Sequence, residues 1–307
     1  MIKHHHPFAV AAAVIGGAFM VLQAKLNGLL GIEISNGVLA AEVSFGTGLI
    51  LISLIMIARR GTIQEIANLN RAIRNRDLPI WALFAGSIGG FFVITQGLTA
   101  GLLGISIFTL SVVTGQAIAA VIIDTFGLIG IQSRKLNLAR GLGALIATVG
   151  LFVANFQPGS VVSPLLLMPL IAGFGIGFQQ AMNGNIGKAA QSPLLATWIN
   201  FAVGVIFIAL VLLFRLAGVS EISWPTNPIL YLGGTIGVIF IFMQVIVVRI
   251  IGVLAMGISL LFGQLAASFI LDLLVPSGHN PLEISSILGL ALVGVGALMV
   301  IRKKVSA

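Results

Sequence analysis

The chain has 307 residues, of which 58% are apolar and 8% charged; it contains no cysteine and carries a formal net charge of +8. Soluble domains average about 45–50% apolar and about 25% charged residues, so a water-soluble globule is excluded, and the missing thiols exclude disulfide frameworks, thiol nucleophiles and thiolate metal sites. The excess of cations is not a nucleic-acid footprint, because no basic patch interleaved with stacking aromatics accompanies it.

Ten apolar stretches follow one another, near residues 8–30, 36–58, 79–100, 104–129, 138–156, 164–186, 192–214, 228–248, 253–275 and 284–301. Each is about long enough to cross ~30 Å of hydrocarbon at ~1.5 Å per residue. None alternates apolar with polar residues at period two, so they read as helices and not as barrel strands. His4, His5 and His6 precede the first stretch and read as an appended or solvated tail. The first stretch is too long for a cleavable signal and carries Gln23, Lys25 and Asn27; the second carries Glu42. Lys25 and Glu42 lie about equally far from the turn between these helices, so a hairpin sets them at similar depth. Glu42 then reads either as a proton-coupling or cation-contacting carboxylate, with Lys25 as its internal competitor, or as half of a self-neutralised ion pair.

Residues 60–78 form the one long charged connection. Thr62 and Glu65 have capping-box spacing, and Ile63, Ile66, Leu69 and Ile73 recur near helical period beside Arg71, Arg74 and Arg76. A short amphipathic helix on the cytoplasmic leaflet is expected there. Further along come Gln96 in the third stretch, Ser111, Thr114, Gln116 and Asp124 in the fourth, and Gln179 and Asn183 in the sixth. The seventh holds Asn200, the eighth Gln244 and Arg249, and the ninth Ser259, Gln264 and Asp272. Gln23 with Asn27, and Gln179 with Asn183, are spaced i, i+4 and present two amides on one helix face. In lipid such groups need partners, so the set is expected to face the bundle interior, where it either lines a wet path or joins helices. Asp124 and Asp272 sit near helix ends and read as capping or interfacial residues, with an Asp124–Arg249 pair as an inner gate.

The polar residues repeat. Gly17, Gln23, Asn27, Gly28, Gly31, Phe45 and Gly48 recur 156 positions later as Gly173, Gln179, Asn183, Gly184, Gly187, Phe201 and Gly204. Gly86, Gly89, Gln96, Gly104, Ser111, Gly115, Gln116 and Asp124 recur 148 positions later as Gly234, Gly237, Gln244, Gly252, Ser259, Gly263, Gln264 and Asp272. The chain is thus internally duplicated. With the first helix starting in the cytoplasm, fourteen of the sixteen cations fall inside; only Arg215 falls outside and Lys25 within a helix. The positive-inside rule then places both termini in the cytoplasm. Five helices per half force the second copy to enter from the opposite face, so the repeats are expected to be inverted.

The first helix with Gly16, Gly17, Gln23, Ala24 and Asn27, followed by Ser44, Phe45 and Gly48, resembles the YdcZ-type inner-membrane exporters of the drug/metabolite transporter superfamily. The second half repeats the pattern with Gln179, Asn183, Ser192, Pro193, Leu194, Leu195, Asn200, Phe201 and Gly204. The resemblance covers nearly the whole chain and implies the fused ten-helix form and a transporter, without naming the cargo.

The expected architecture is therefore an all-α membrane protein of ten transmembrane helices in two inverted five-helix repeats, residues 1–157 and 158–307, in the inner (plasma) membrane. The expected function is secondary active transport of a small organic solute, coupled to protons and directed outward by alternating access. The alternatives are an uncoupled facilitator or importer, or a non-transporting receptor or assembly protein. The candidate binding and coupling residues are Glu42, Lys25, Gln23, Asn27, Gln96, Gln116, Gln179, Asn183, Asn200, Gln244, Gln264, Ser111 and Ser259. No Walker A motif, His-Glu-x-x-His or metal-ligand cluster occurs, so neither enzymatic chemistry nor a cofactor is expected. Membrane lipids, a small-molecule substrate and protons are the expected partners, no nucleic acid among them, and the duplication makes a monomer sufficient.

Overall fold

The computed structural model describes residues 6–103, 105–134, 137–155, 164–215, 224–274 and 284–301. All regular structure among them is helical: α1 (His6–Ile34), α2 (Gly37–Ala58), α3 (Thr62–Arg74), α4 (Ala85–Leu103), α5 (Ile105–Phe126), α6 (Leu138–Asn155), α7 (Leu167–Ala190), α8 (Pro193–Arg215), α9 (Gly233–Ile251), α10 (Val253–Leu274) and α11 (Ile284–Ile301). Each apolar stretch of the sequence coincides with one helix, and α3 is the short connection between the second and third. By length and composition, five of the helical segments can cross a membrane: His6–Ile34, Gly37–Ala58, Pro164–Ala190, Pro193–Phe214 and Pro228–Ile251; in the other five apolar helices the fully described spans are shorter, Ile80–Thr95, Ser111–Phe126, Leu138–Val153, Val253–Ala267 and Ile287–Val300. On α2, Ile50, Leu54 and Ile57 form an outward stripe, 62%, 61% and 80% exposed. A row of large apolar side chains turned outward suits acyl chains and not water.

The chain ends of matched helices are built alike. Between α1 and α2, Ser35 takes φ 57° and Asn36 caps α2, its Oδ1 accepting from the amides of Val38 and Leu39 at 3.1 and 3.0 Å. Between α7 and α8, Gln191 takes φ 56° and Ser192 Oγ accepts from the Leu195 amide at 3.1 Å. Ser35 and Asn36 lie 156 positions before Gln191 and Ser192, so the repeat extends into turn chemistry. At α3 the expected capping box is not formed. Its N-cap is Gly61; the Thr62 hydroxyl turns back to the Met56 carbonyl at 2.8 Å, and Glu65 is drawn to Arg59, whose guanidinium also reaches Ser192 Oγ at 3.3 Å. The stronger, charge-assisted contact takes the side chain that a capping box needs.

By packing, the chain divides into two compact units, and each draws on both halves of the sequence. One contains Phe19–Leu98 and Phe178–Ile246. In it α2 and α8 run antiparallel: Gly48 lies under the ring of Phe201, Gly204 under the ring of Phe45, and Trp198 Nε1 donates to Ser53 Oγ at 2.9 Å. The two rings pack with centroids 5.3 Å apart, and a Cβ on Gly48 or Gly204 would come within 2.8 or 2.6 Å of the opposing ring's Cδ1. Leu30, Ile34, Ala40 and Leu230 fill one core of this unit and Val38, Ala41, Ile94 and Ile208 another.

The other unit contains Met1–Ala18, Thr99–Gly177 and Val247–Ala307. Here α6 and α11 run antiparallel with their glycines interleaved, Gly143 against Gly296 and Gly150 against Gly289. Gly289 and Gly296 themselves lie 146 positions after Gly143 and Gly150, a third stage of the repeat too sparse to stand out in the sequence. Leu151, Leu261 and Val293 form the core beside them. Gly115 approaches the backbone of Leu170 and Phe174, and its counterpart Gly263 the backbone of Val14. Small residues let helix backbones meet at such distances, and a larger side chain overpacks the contact. Gly115→Val and Gly263→Val are each expected to cost at least ~1–3 kcal/mol, and by similar amounts. Thermal unfolding of the detergent-solubilised chain measures this, and strongly unequal shifts would contradict the equivalence of the two contacts.

Candidate functional site

In the unit built from Phe19–Leu98 and Phe178–Ile246, the candidate amides meet in matched surroundings. Gln179, 3% exposed on α7, packs its amide against Gly89 of α4, where a Cβ would lie 2.7 Å from Nε2. Gln23, half-buried on α1, packs against Gly237 of α9, and a Cβ there would also lie 2.7 Å from Nε2. The glutamines are related by the first repeat shift and the glycines by the second, so one contact is made twice with the roles of the two halves exchanged.

Neighbouring amides diverge between the halves. Asn200 Nδ2 donates to Asn183 Oδ1 at 3.2 Å, and Asn183 Nδ2 donates to Gln244 Oε1 at 3.4 Å. The three are 1%, 0% and 2% exposed, a closed chain joining α7, α8 and α9. The first-half counterparts of Asn183 and Asn200 are Asn27 and Ser44. Both lie at the side-chain-free face of Gly233, yet Asn27 Oδ1 and Ser44 Oγ are buried without hydrogen-bond partners. Glu42, on α2, likewise has a buried Oε2 without a partner. Buried acceptors left unfilled cost ~1–3 kcal/mol each.

The proposed Lys25–Glu42 pair is not formed. Lys25 points to the exposed side of α1, Glu42 is half-buried, and the ion pairs among the described residues are Arg59–Glu65 and Arg140–Asp124. Similar depth along a hairpin does not bring two side chains onto the same face.

The unit built from Met1–Ala18, Thr99–Gly177 and Val247–Ala307 holds the remaining candidates. Gln116 is half-buried and its amide faces Gly257 of α10, where a Cβ would lie 3.3 Å from Nε2. Ser259 is buried, but its hydroxyl donates to the Ala255 carbonyl at 2.7 Å within its own helix. Ser111 and Gln264 are half-buried and each is engaged. The side chains of Gln96 and Asp272 lie outside the described residues.

An ionic knot missed in the sequence lies where α9 breaks into α10. Gly252 takes φ 86°, and Asp124, 1% exposed at the end of α5, caps α10: its Oδ1 accepts from the Val253 amide at 2.9 Å and its Oδ2 from the Leu254 amide at 3.3 Å. Arg140 Nη2 donates to the same Oδ2 at 2.6 Å, while Arg140 Nη1 donates to the Arg134 carbonyl and Arg134 Nη2 to the Ile250 carbonyl, both at 2.6 Å. A carboxylate at a helix N-terminus meets unpaired amides and the positive end of the helix dipole. Burial pulls the Arg134 guanidinium below its usual pKa; the charge of Asp124 opposes this and that of Arg140 adds to it. Asp124 thus takes the capping role read for it, and its ionic partner is Arg140 and not Arg249. The clue was Asn137, whose Oδ1 accepts from the Arg140 amide at 2.9 Å and so starts α6 with the arginine on its first turn.

Comparison with known proteins bears on the whole chain. Residues 8–153 and again 164–299 match the family described as "Putative inner membrane exporter, YdcZ". Two consecutive matches to one family place one unit on each half of the duplication. No curated protein matches. A solved structure titled "Crystal structure of protein" is similar, with a TM-score of 0.65 at 17% identity over 96% of this chain and 95% of that one. At such identity the likeness speaks to the fold alone.

Proposed function

Because the chain belongs to the YdcZ family of inner-membrane exporters, we propose that it is a secondary active transporter that moves a small organic solute outward by alternating access, in exchange for protons. The observation that carries this reading is the exchanged pair of contacts, Gln23 on Gly237 and Gln179 on Gly89. One polar pattern used twice under a pseudo-twofold relation supplies equivalent gates on two sides of a site. The antiparallel courses of α2 with α8 and of α6 with α11 support repeats that are inverted, since equivalent helices cross head to tail only about an axis perpendicular to them. Ten membrane helices, both termini in the cytoplasm, and α3 on the inner leaflet complete the proposal. In α3, Leu69 is buried while Ile63 and Ile66 are exposed beside Arg71 and Arg74, as suits a helix resting on anionic lipid.

Glu42 is the proposed proton carrier, and Gln23, Asn27, Gln179, Asn183, Asn200 and Gln244 surround the proposed path. The duplicated chain would act as a monomer without a cofactor.

The test is solute-dependent proton movement. Purified chain in liposomes with an internal pH dye and an imposed pH gradient is challenged with a panel of small metabolites. Dissipation that requires both protein and one class of solute is the expected result. Protein-dependent solute flux that ignores the pH gradient would replace exchange by facilitated diffusion.

A further inference from the structure

From the asymmetry between the two asparagine sites, we infer that Asn27 and Ser44 form a subsite for a primary carboxamide group, so that the transported solute, or part of it, carries –CONH2 or the isosteric urea group. The second half displays the complete arrangement: Asn183 accepts from the carboxamide of Asn200 at 3.2 Å, and both side chains are fully buried. At the equivalent position the first half keeps the asparagine, Asn27, and replaces Asn200 by Ser44, shorter by a carboxamide. Both halves therefore have the same acceptor, but the first does not carry the donor that fills it. Asn27 Oδ1 and Ser44 Oγ are buried and without partners, and Ser44 as a whole is 2% exposed. Both oxygens flank Gly233, where a Cβ would come within 3.1 Å of Ser44 Oγ. A side chain there would close the notch.

A primary amide satisfies both groups at once. Its N–H donates to Asn27 Oδ1, as that of Asn200 does to Asn183, and its carbonyl accepts from the Ser44 hydroxyl. A tertiary amide has no N–H and leaves Asn27 Oδ1 unfilled, an error that buried polar sites reject strongly. Asn27 as a whole is half-buried, whereas Asn183 is 0% exposed, so the first-half asparagine is the less enclosed of the two, although its Oδ1 is itself covered. The proposal rests on the transport reading but is tested by binding, which separates the two.

Saturation-transfer NMR on the detergent-purified full chain, with acetamide and N,N-dimethylacetamide as probes, measures it. Acetamide is expected to receive saturation from the wild type at least tenfold more strongly than dimethylacetamide. Ser44→Asn supplies the chain's own carboxamide and is expected to reduce the acetamide signal at least tenfold, with a raised unfolding temperature. Ser44→Ala, which removes the hydroxyl without filling the notch, is expected to weaken it about fivefold and serves if the asparagine variant does not fold. Equal signals from the two probes, or an acetamide signal unchanged in the folded variants, overturns the subsite. Solute-coupled proton flux with no acetamide binding overturns the subsite and leaves the transport reading standing; acetamide binding with no flux of any amide solute does the reverse.

Discussion

Glu42→Gln is expected to abolish solute flux driven by a pH gradient in proteoliposomes, while gradient-independent exchange of solute for solute persists. The carboxyl group sits in α2, a helix long and apolar enough to cross the membrane, with Oε2 buried and no donor beside it. A carboxylate in such a place is expensive unless it binds a proton, a cation or a solute donor, and that need is what a coupling site uses. Glutamine keeps the size and the acceptor but cannot release a proton, so the coupled cycle stops. Lys25 does not neutralise the group, because it is exposed on its own helix. Unchanged pH-driven flux in the glutamine variant would remove Glu42 from the mechanism. Lys25→Ala should then have little effect either way, since nothing in the geometry links it to the carboxylate.

Asp124→Ala is expected to be the most damaging single substitution for stability, by about 3–5 kcal/mol, because it leaves Arg140 as a buried cation without its anion. Arg140 is only 9% exposed, and the same change strips two amides of the cap at the start of α10. Loss of the cap alone accounts for ~1 kcal/mol of the total. Asp124→Asn retains acceptors for the amides but loses the charge pairing and should fall between the two. The double variant Asp124→Ala with Arg140→Leu should recover part of the loss, since removing both partners of a buried pair is far less costly than removing one. Thermal unfolding of the four proteins in one detergent reads these differences; an unfolding temperature for Asp124→Ala equal to the wild type would mean that the knot is not holding the α9–α10 break.

The positions of the helices were legible because hydrocarbon demands long, uniformly apolar segments, and ten such runs cannot be confused with strands. The duplication was legible because polar residues are scarce in those runs, so Gln23, Asn27, Gln179 and Asn183 stand out at a fixed spacing. The same scarcity hid the last stage: α6 and α11 match at Gly143 with Gly289 and Gly150 with Gly296 but at no polar position, among many glycines.

What no spacing could decide is which polar atoms meet. Lys25 and Glu42 share a depth but not a face; Thr62 and Glu65 have capping-box spacing but find better partners in Met56 and Arg59; Asp124 is satisfied by Arg140 and a helix start more than a hundred residues away in sequence. The sequence by itself determined the solvent, the helices and the family, since these follow from hydrophobicity and order along the chain. Only the tertiary structure decided that Asn183 and Asn200 satisfy each other while Asn27 and Ser44 do not, because a hydrogen bond depends on side-chain reach and direction at the ångström scale, and one shorter side chain at position 44 changes the outcome.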